Sequence, residues 1–383
     1  MTMRKFSYFA AALAAAGVLL AGCSSSSSSS STRKPVDLTQ IDQKLRVSQA
    51  WSLSVGKGGN YAFRPAAAGS DVIVASADGQ LARVNAKTGA VAWQIKAAED
   101  ISSGPGSDGI TTVVATIKGK VLAFDSAGKP LWNASVPGEV LTPPLLVNQL
   151  ALVRTLDSRI FAFDAATGAA RWTFLRPQAS LSLRTAFGML PTNGAVVTGF
   201  PGGKIGVLNP NNGAMIWEST LTLARGVSEI ERLIDVSGMP AVRDKTICAA
   251  AFQGRIGCLD LPSGNNIWTK EFSSAAGVEM DDKGVYGVDE KSVVTAFALA
   301  NGTLLWRNDK LHYRSLGAPL LVGKTLVAGD YQGVVHFFSV DDGAIVGRIS
   351  TESTPITAAP LLVGDTVVVQ NRGGRVYGLV PGK

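Results

Sequence analysis

Two thiols at close spacing are the first groups in this 383-residue sequence that could do chemistry. Cys248 and Cys258 flank Gln253-Gly254, a pair typical of a hairpin turn, so they are expected on adjacent antiparallel strands. A two-residue turn at 253–254 would set Cys248 opposite Leu259 and would direct Cys258 to the other face. This register favours two buried free thiols, although an oxidising compartment would permit a disulfide.

The other candidates for catalysis or metal binding are few and scattered. The chain has two histidines, His312 and His336, and neither has a cysteine or another histidine beside it, so a metal cluster is not expected. Asp281-Asp282 and Asp341-Asp342 fall at turn positions, where aspartate commonly caps the backbone. Gly56-Lys57-Gly58-Gly59 lacks the spacing of a phosphate-binding loop. The sequence therefore predicts no catalytic residue, no metal and no cofactor.

The third cysteine, Cys23, ends an apolar leader. Basic residues at 4 and 5 precede an alanine-rich apolar run, which is typical of a cleaved signal peptide over residues 1–22. Leu20-Ala21-Gly22-Cys23 resembles the bacterial lipobox, in which the cysteine becomes the lipidated first residue of the mature protein. The alternative is an ordinary secreted chain with a chance cysteine. Because Ser24 and not an aspartate follows, the resemblance implies the outer membrane as the destination.

A polar segment separates this cysteine from the rest of the chain. Serine occupies every position from 24 to 31, and such a run behaves as a flexible tether. Residues 23–45 are therefore predicted to form a lipidated N-terminus and tether, with membrane contact through the lipid anchor alone. No later segment has the run of apolar residues that a spanning helix needs.

The elements that must position any functional group belong to a repeat. Phe161–Trp172 reads as an alternating apolar strand, an Asp-x-x-Thr-Gly turn and a short strand that ends in tryptophan. Six of the seven tryptophans close such a unit, and successive tryptophans are 38 to 51 residues apart. The acidic or amide side chain caps the turn, and the indole can pack on a neighbouring sheet. A repeat of this length with several short strands is typical of propeller blades.

The number of outermost strands predicts eight blades. The strand around Trp51 has no three strands before it, and residues 360–380 contain three strands without a fourth. The two ends can complete one blade together, which would close the ring and remove its edges. We therefore predict an all-β fold over residues 46–383, an eight-bladed β-propeller of four-stranded antiparallel blades with a composite closing blade.

Charge and its distribution limit the choice of partner. The formal net charge is +7, which becomes +5 without the two basic residues of the leader. The basic residues are scattered and form no run of five or more. A nucleic-acid partner is therefore not expected.

Two of the intervals between tryptophans are longer than the repeat requires. The extra residues fall in 173–191, which includes Leu181-Ser182-Leu183-Arg184, and in 218–240, which includes Asp235. Insertions in repeat arrays map to loops on one face and often form a binding surface, so adjacent blades should bring these two together. The alternative is that they are decorated connections with no partner.

The repeat resembles two families with this architecture. Its Asp-x-x-Thr-Gly-x-x-x-Trp pattern is similar to that of the pyrroloquinoline-quinone dehydrogenases, which are also eight-bladed propellers, and this is the enzyme alternative. The chain is short for that family and lacks the adjacent cysteine pair of many of its members. The combination of lipobox, tether, eight repeats and two insertions resembles the BamB family, the lipoprotein subunits of the outer-membrane β-barrel assembly machinery.

The resemblance to the BamB family implies a function and a set of contact residues. It implies a non-catalytic scaffold that faces the periplasm, binds the periplasmic domains of BamA and promotes the folding and insertion of outer-membrane proteins. Direct contact with unfolded clients stays open, as does a different periplasmic partner. The matched positions assign Leu181, Leu183, Arg184 and Asp235 to the BamA contact, and Ser237 occupies the family's second acidic position.

Overall fold

The computed structural model describes residues 34–177 and 179–382, and the regular elements within these ranges are strands. The strands pair into eight four-stranded antiparallel sheets. In chain order they are β1 Val47–Ser54, β2 Ala66–Ala68, β3 Asp71–Ala75, β4 Gln80–Asn85, β5 Val91–Lys96, β6 Gly106–Ser107, β7 Thr112–Ala115, β8 Lys120–Phe124, β9 Pro130–Ser135, β10 Leu145–Val147, β11 Leu150–Arg154, β12 Ile160–Asp164, β13 Ala170–Phe174, β14 Met189–Thr192, β15 Ala195–Phe200, β16 Lys204–Leu208, β17 Met215–Thr220, β18 Ala241–Arg243, β19 Thr246–Ala250, β20 Arg255–Asp260, β21 Asn266–Glu271, β22 Val278–Met280, β23 Gly284–Val288, β24 Val294–Ala298, β25 Leu304–Asn308, β26 Leu320–Val322, β27 Thr325–Gly329, β28 Val334–Ser339, β29 Ile345–Ser350, β30 Leu361–Val363, β31 Thr366–Gln370 and β32 Arg375–Pro381.

The sheets are the blades of an eight-bladed β-propeller, as predicted. Blades 1 to 7 take four consecutive strands each, from β2–β5 to β26–β29. Blade 8 has the order β1-β32-β31-β30, so the first strand of the fold completes the sheet built by the last three. Trp51 of β1 lies opposite Gly378 of β32. The composite closing blade is therefore confirmed, and it leaves no open gap in the ring.

The core lies between adjacent blades. The middle strands of each blade are almost wholly buried, as in β7 and β19, whereas the fourth strand is largely exposed, as in β5. One cluster, for example, joins Trp51 and Val368 of blade 8 to Val72 and Val74 of blade 1. Each sheet thus buries both faces against its neighbours, which explains the continuous apolar character of the middle strands.

A repeated contact, here called the tryptophan lock, joins each of seven blades to the next. The indole N–H donates to a backbone carbonyl of the next blade at 2.7–2.9 Å, and the seven donor–acceptor pairs are Trp51–Ala86, Trp93–Ser126, Trp132–Ala165, Trp172–Pro210, Trp217–Leu261, Trp268–Leu299 and Trp306–Val340. The glycine of the same turn lies under the indole. At Gly343, for example, φ is +71° and an added Cβ would lie 2.3 Å from the ring of Trp306. Both features of the repeat thus serve contacts between blades.

The eighth lock is missing for a topological reason. Blade 7 has Gly347 where the other outer strands have tryptophan. The next blade is the composite one, in which the chain enters at β1 and leaves at β32, so no turn joins these two strands to receive an indole. Leu45 lies there instead. Its N–H donates to Val346 O at 2.8 Å, and its carbonyl oxygen would lie 2.9 Å from a Cβ added at Gly347.

Residues 36–45, here called the N-terminal strap, lie against blade 7. Val36 N–H donates to His312 O at 3.1 Å, and Leu38 and Ile41 pack against the core between blades 6 and 7. The composition of residues 23–45 predicts a flexible tether, but residues 36–45 lie against the ring, because Leu38, Ile41 and Leu45 find apolar surfaces to cover. Cys23, the signal peptide at 1–22 and the serine run lie outside the described residues.

The β19–β20 hairpin corrects the prediction of free thiols. Its loop has three residues, 252–254, and Ala251 N–H bonds Arg255 O at 2.9 Å. Compared with a two-residue turn, the extra residue shifts the register by one, so Cys248 pairs with Cys258. Their Cα atoms are 4.1 Å apart and the sulfurs are joined in a disulfide. Gln253 adopts a φ of 51°, which the sequence pattern did not indicate.

Within the described parts of the chain, no helix has the length and apolar character required to cross a membrane.

Candidate partner-binding surface

The two insertions are connections between the outer strand of one blade and the inner strand of the next. Residues 175–188 join β13 to β14, and residues 221–240 join β17 to β18. Such connections emerge on the same face of the ring as the hairpins between the second and third strands. The backbone contacts show this directly: Gly202 N–H donates to Ile234 O at 2.6 Å, and Phe252 N–H donates to Asp235 O at 2.8 Å. The prediction that both insertions share one face is confirmed.

Asp235 links the two insertions. Its side chain is fully buried, and Oδ2 accepts a hydrogen bond from Leu183 N–H at 2.6 Å. Its backbone pairs on one side with Pro201 and on the other with Phe252. The carboxylate therefore fixes the first insertion to a residue that is itself held between two hairpins.

A buried arginine lies behind this contact. Arg154 of β11 is 1% exposed, and its guanidinium lies 4.6 Å from the ring centre of Phe187 and 4.9 Å from that of Phe200. It donates to Gly199 O at 2.9 Å. Burial lowers the pKa of Arg154 to about 9, so it is still charged at neutral pH. Burial also raises the pKa of Asp235, while the Leu183 N–H and the charge of Arg154 act in the opposite direction.

The Leu181–Arg184 segment presents apolar and charged groups to solvent. Leu181 is 42% exposed and Leu183 is half-buried. The Arg184 guanidinium is exposed and lies 2.9 Å from a carboxylate oxygen of Glu139, which belongs to the connection between β9 and β10. Arg184 therefore pairs with Glu139 and not with Asp235. The segment places apolar groups beside an ion-paired arginine, and it contacts the connections before and after its own.

Two of the predicted contact residues are not at the surface. Asp235 is 0% and Ser237 1% exposed, so neither side chain is accessible for the direct contact that the resemblance implied. Ser237 contributes its carbonyl, which accepts a hydrogen bond from Gly188 N–H at 2.9 Å. Both residues instead position the first insertion. The second insertion is buried around Asp235 and Ser237, and only its earlier part is exposed to solvent.

The outward part of the second insertion adds an apolar patch that sequence reasoning missed. Leu223, Val227 and Ile230 are 73%, 99% and 69% exposed. Glu231 closes the loop between them, since its carboxylate accepts from the N–H groups of Val227 and Ser228 at 2.9 and 3.0 Å. The sequence did indicate this patch, because three large apolar residues lie in an insertion that the blade repeat does not require. We define the partner face as Leu181–Arg184 together with this patch.

The centre of the ring holds a mainly apolar cavity of about 590 Å³, lined by residues at the start of the inner strands, such as Ala66, Leu145 and Met189. Arg64 also lines it, and burial lowers the pKa of Arg64. On an inner strand, burial raises the pKa of Glu279 to about 7. In residues 34–177 and 179–382, no group of three or more histidine, cysteine, aspartate or glutamate side chains is placed to hold a metal ion.

The fold defines the class: an eight-bladed propeller with two long connections on one face of the ring. The chain belongs to the family described as outer membrane protein assembly factor BamB, whose family model matches residues 42–102, 77–308 and 300–382.

Individual relatives agree with this assignment. The outer membrane protein assembly factor BamB of Burkholderia pseudomallei (strain K96243) is 45% identical over 302 residues, which is 79% of each chain. The crystal structure of BamB from Moraxella catarrhalis superposes with a TM-score of 0.80 at 27% identity, over 88% of this chain and all of that one. A quinohemoprotein alcohol dehydrogenase from Comamonas testosteroni shares the fold, with a TM-score of 0.69 at 13% identity over 87% of this chain and 76% of that one.

Proposed function

We propose that this protein is a non-catalytic scaffold subunit of the outer-membrane β-barrel assembly machinery. It binds the periplasmic domains of BamA through the partner face and promotes the folding and insertion of outer-membrane proteins. It is anchored in the outer membrane by a lipid on Cys23 and faces the periplasm. Membership of the BamB family supports the assembly role, and the Cys248–Cys258 disulfide is compatible with the oxidising periplasm.

The observation on which the proposal rests is the Leu181–Arg184 segment. It combines half-exposed leucines with a guanidinium, and Asp235 holds its backbone in place. An apolar anchor beside a cation has the composition of an interface hot spot. Because the segment is already held in place, little conformational entropy is lost on binding. The neighbouring Val227 patch extends the apolar area of the same face.

A binding titration against the soluble periplasmic domains of BamA tests this function. We expect Leu183→Ala or Arg184→Ala to weaken binding by about 1–3 kcal/mol, which is the range of interface hot spots. Val227→Ser removes the most exposed apolar group of the patch and should weaken binding by a smaller amount. Circular dichroism checks that each variant is folded, since none of these residues belongs to a tryptophan lock.

A matched control variant lies outside the partner face. Ile110 is 74% exposed in the turn between β6 and β7, which emerges on the opposite face of the ring. Ile110→Ser should bind like the wild type. If the folded Leu183 and Arg184 variants also bind like the wild type, the partner face is assigned wrongly. Purified protein should also lack the absorption of a bound quinone, which would otherwise favour the dehydrogenase alternative.

A further inference from the structure

His336 of β28 is fully buried among charged groups, and its hydrogen bonds define its protonation. Its Nε2 lies 3.0 Å from Oδ2 of Asp330, in the turn between β27 and β28. Its Nδ1 lies 3.2 Å from Nε of Arg348, in β29. A carboxylate only accepts and a guanidinium only donates, so Nε2 bears the proton and Nδ1 is bare. His336 is therefore the neutral Nε2–H tautomer.

The arginines of this network also hold the N-terminal strap. Arg348 Nη1 donates to Thr39 O at 3.0 Å, and Arg314 Nη1 donates to Val36 O at 2.9 Å. Arg314 is fixed in turn by Asp330, with Nε 2.8 Å from Oδ2. The carbonyls of the strap are thus bound by two guanidinium groups whose positions depend on Asp330 and on an unprotonated nitrogen of His336.

We propose that the strap is a latch that opens when His336 becomes protonated. A proton on Nδ1 points at Nε–H of Arg348, so an attractive contact becomes a clash of two donors. The network would then contain three cations, His336, Arg314 and Arg348, facing one carboxylate, Asp330. Arg348 is the least buried of the three and moves away, which breaks its hydrogen bond to Thr39 O and releases the middle of the strap.

The direction of the pH dependence follows from burial. The charged groups that face His336 are Asp330 from its own hairpin, Arg348 from β29 and Arg314 from the connection between β25 and β26. Burial lowers the pKa of His336 below its ordinary value of 6.5, and Asp330 opposes this only in part. The unfolded chain therefore binds the proton more readily than the folded one. The neutral, buried His336 therefore stabilises the folded state fully above about pH 6.5, and this stabilisation is lost as the pH falls through the lower folded pKa.

Opening the latch frees the middle of the strap, while Val36 keeps its bonds to His312 and Arg314 and Leu45 keeps its bond to Val346. The first strand stays paired with β32, so the propeller remains closed. Leu38 and Ile41 would lose their contacts with the core between blades 6 and 7. The latch does not depend on the proposed partner, so its test is separate from the BamA titration.

Hydrogen exchange of the strap in the mature full chain tests the latch. Exchange times at about pH 5 and about pH 7.5 are scaled for the intrinsic rate, and β1 serves as the internal reference. For the wild type we expect strap protection to fall roughly tenfold at the lower pH. His336→Gln should remove the pH response. His312→Ala replaces the other histidine of the chain and should keep it.

Arg348→Ala provides a second variant that does not depend on how well glutamine fits the buried site. It removes the bond to Thr39 O, so the strap should exchange fast at both pH values while β1 stays protected. The latch is wrong if wild-type strap protection is independent of pH, if a folded His336→Gln variant responds like the wild type, or if Arg348→Ala leaves the strap as protected as before.

Discussion

At the scale of single residues, the partner face depends on a carboxylate that no partner could touch. Asp235 is buried, and it holds the backbone of Leu183 at 2.6 Å while Arg154 supplies positive charge from below. A buried carboxylate is stable only with hydrogen bonds or an opposite charge, and here the hydrogen bond comes from the segment that Asp235 positions and the charge from Arg154 of β11. Under the proposed function, Asp235 therefore contributes to binding indirectly, by positioning Leu183.

Replacing this carboxylate should release the first insertion without unfolding the ring. We expect Asp235→Ala to weaken BamA binding by about 1–2 kcal/mol, because Leu183 N–H loses its acceptor and the segment becomes mobile. The measurement is a binding titration together with hydrogen exchange of residues 181–184. Asp235→Asn is the matched control, since it keeps an oxygen acceptor and should retain more of the protection. Unchanged exchange in the alanine variant would contradict a positioning role.

The length of the connection predicted Leu181, Leu183 and Arg184 as exposed groups, and in the structure Leu181 and Arg184 are exposed while Leu183 is half-buried. It did not predict that Asp235 and Ser237 turn inward, or that Arg184 pairs with Glu139. The reason is distance along the chain: Glu139 precedes Arg184 by a whole blade, and Asp235 follows Leu183 by another. No local pattern records which connections meet across the face of a ring.

At the scale of elements, a single loop residue decided the chemistry of the cysteines. The blades, their strand order and the turns between outer strands follow from local periodicity, so they could be predicted. The β19–β20 loop could not, because a three-residue loop with positive φ at Gln253 has no distinctive sequence signature beyond its glycine. The shift of one position brings Cys258 to the face of Cys248 and forms a disulfide.

This disulfide should stabilise the fifth blade. Replacing Cys258 by alanine, together with Cys248, is expected to lower the free energy of unfolding by about 2–4 kcal/mol, since a cross-link restricts the unfolded chain. Denaturant unfolding of the double variant and of the wild type, with and without reductant, gives the value. Reductant should have no effect on the double variant. If it leaves the wild-type transition unchanged as well, the disulfide does not form in the protein.

At the scale of the whole molecule, the ring has seven tryptophan locks and one seam. The seam falls between blades 7 and 8, where the composite blade has no closing turn, and Leu45 at the end of the strap covers it. The tryptophan positions in the sequence predicted the number of blades. They could not predict that each indole bonds to the following blade, or that Gly347 marks the seam, because both depend on how the ring closes.

The first strand should be indispensable to this closure. Deleting residues 46–56 removes Trp51 and Val55 from the core, whose burial alone corresponds to about 3–6 kcal/mol, and leaves β32 as an open edge. We expect a large fall in the melting temperature by calorimetry and a tendency to aggregate. Deleting residues 24–32 is the control and should have little effect. Equal melting temperatures for the two deletions would contradict the need for β1.

The strap also has a mechanical consequence. If the chain is held to a membrane at its N-terminus, any drag on the assembly pulls on the segment ahead of residue 35. The load meets the bonds of Val36 and Thr39 to Arg314 and Arg348 before it reaches β1. The strap then yields first and lengthens, so the joint between β1 and β32 meets the full load only after the bonds of the strap have broken.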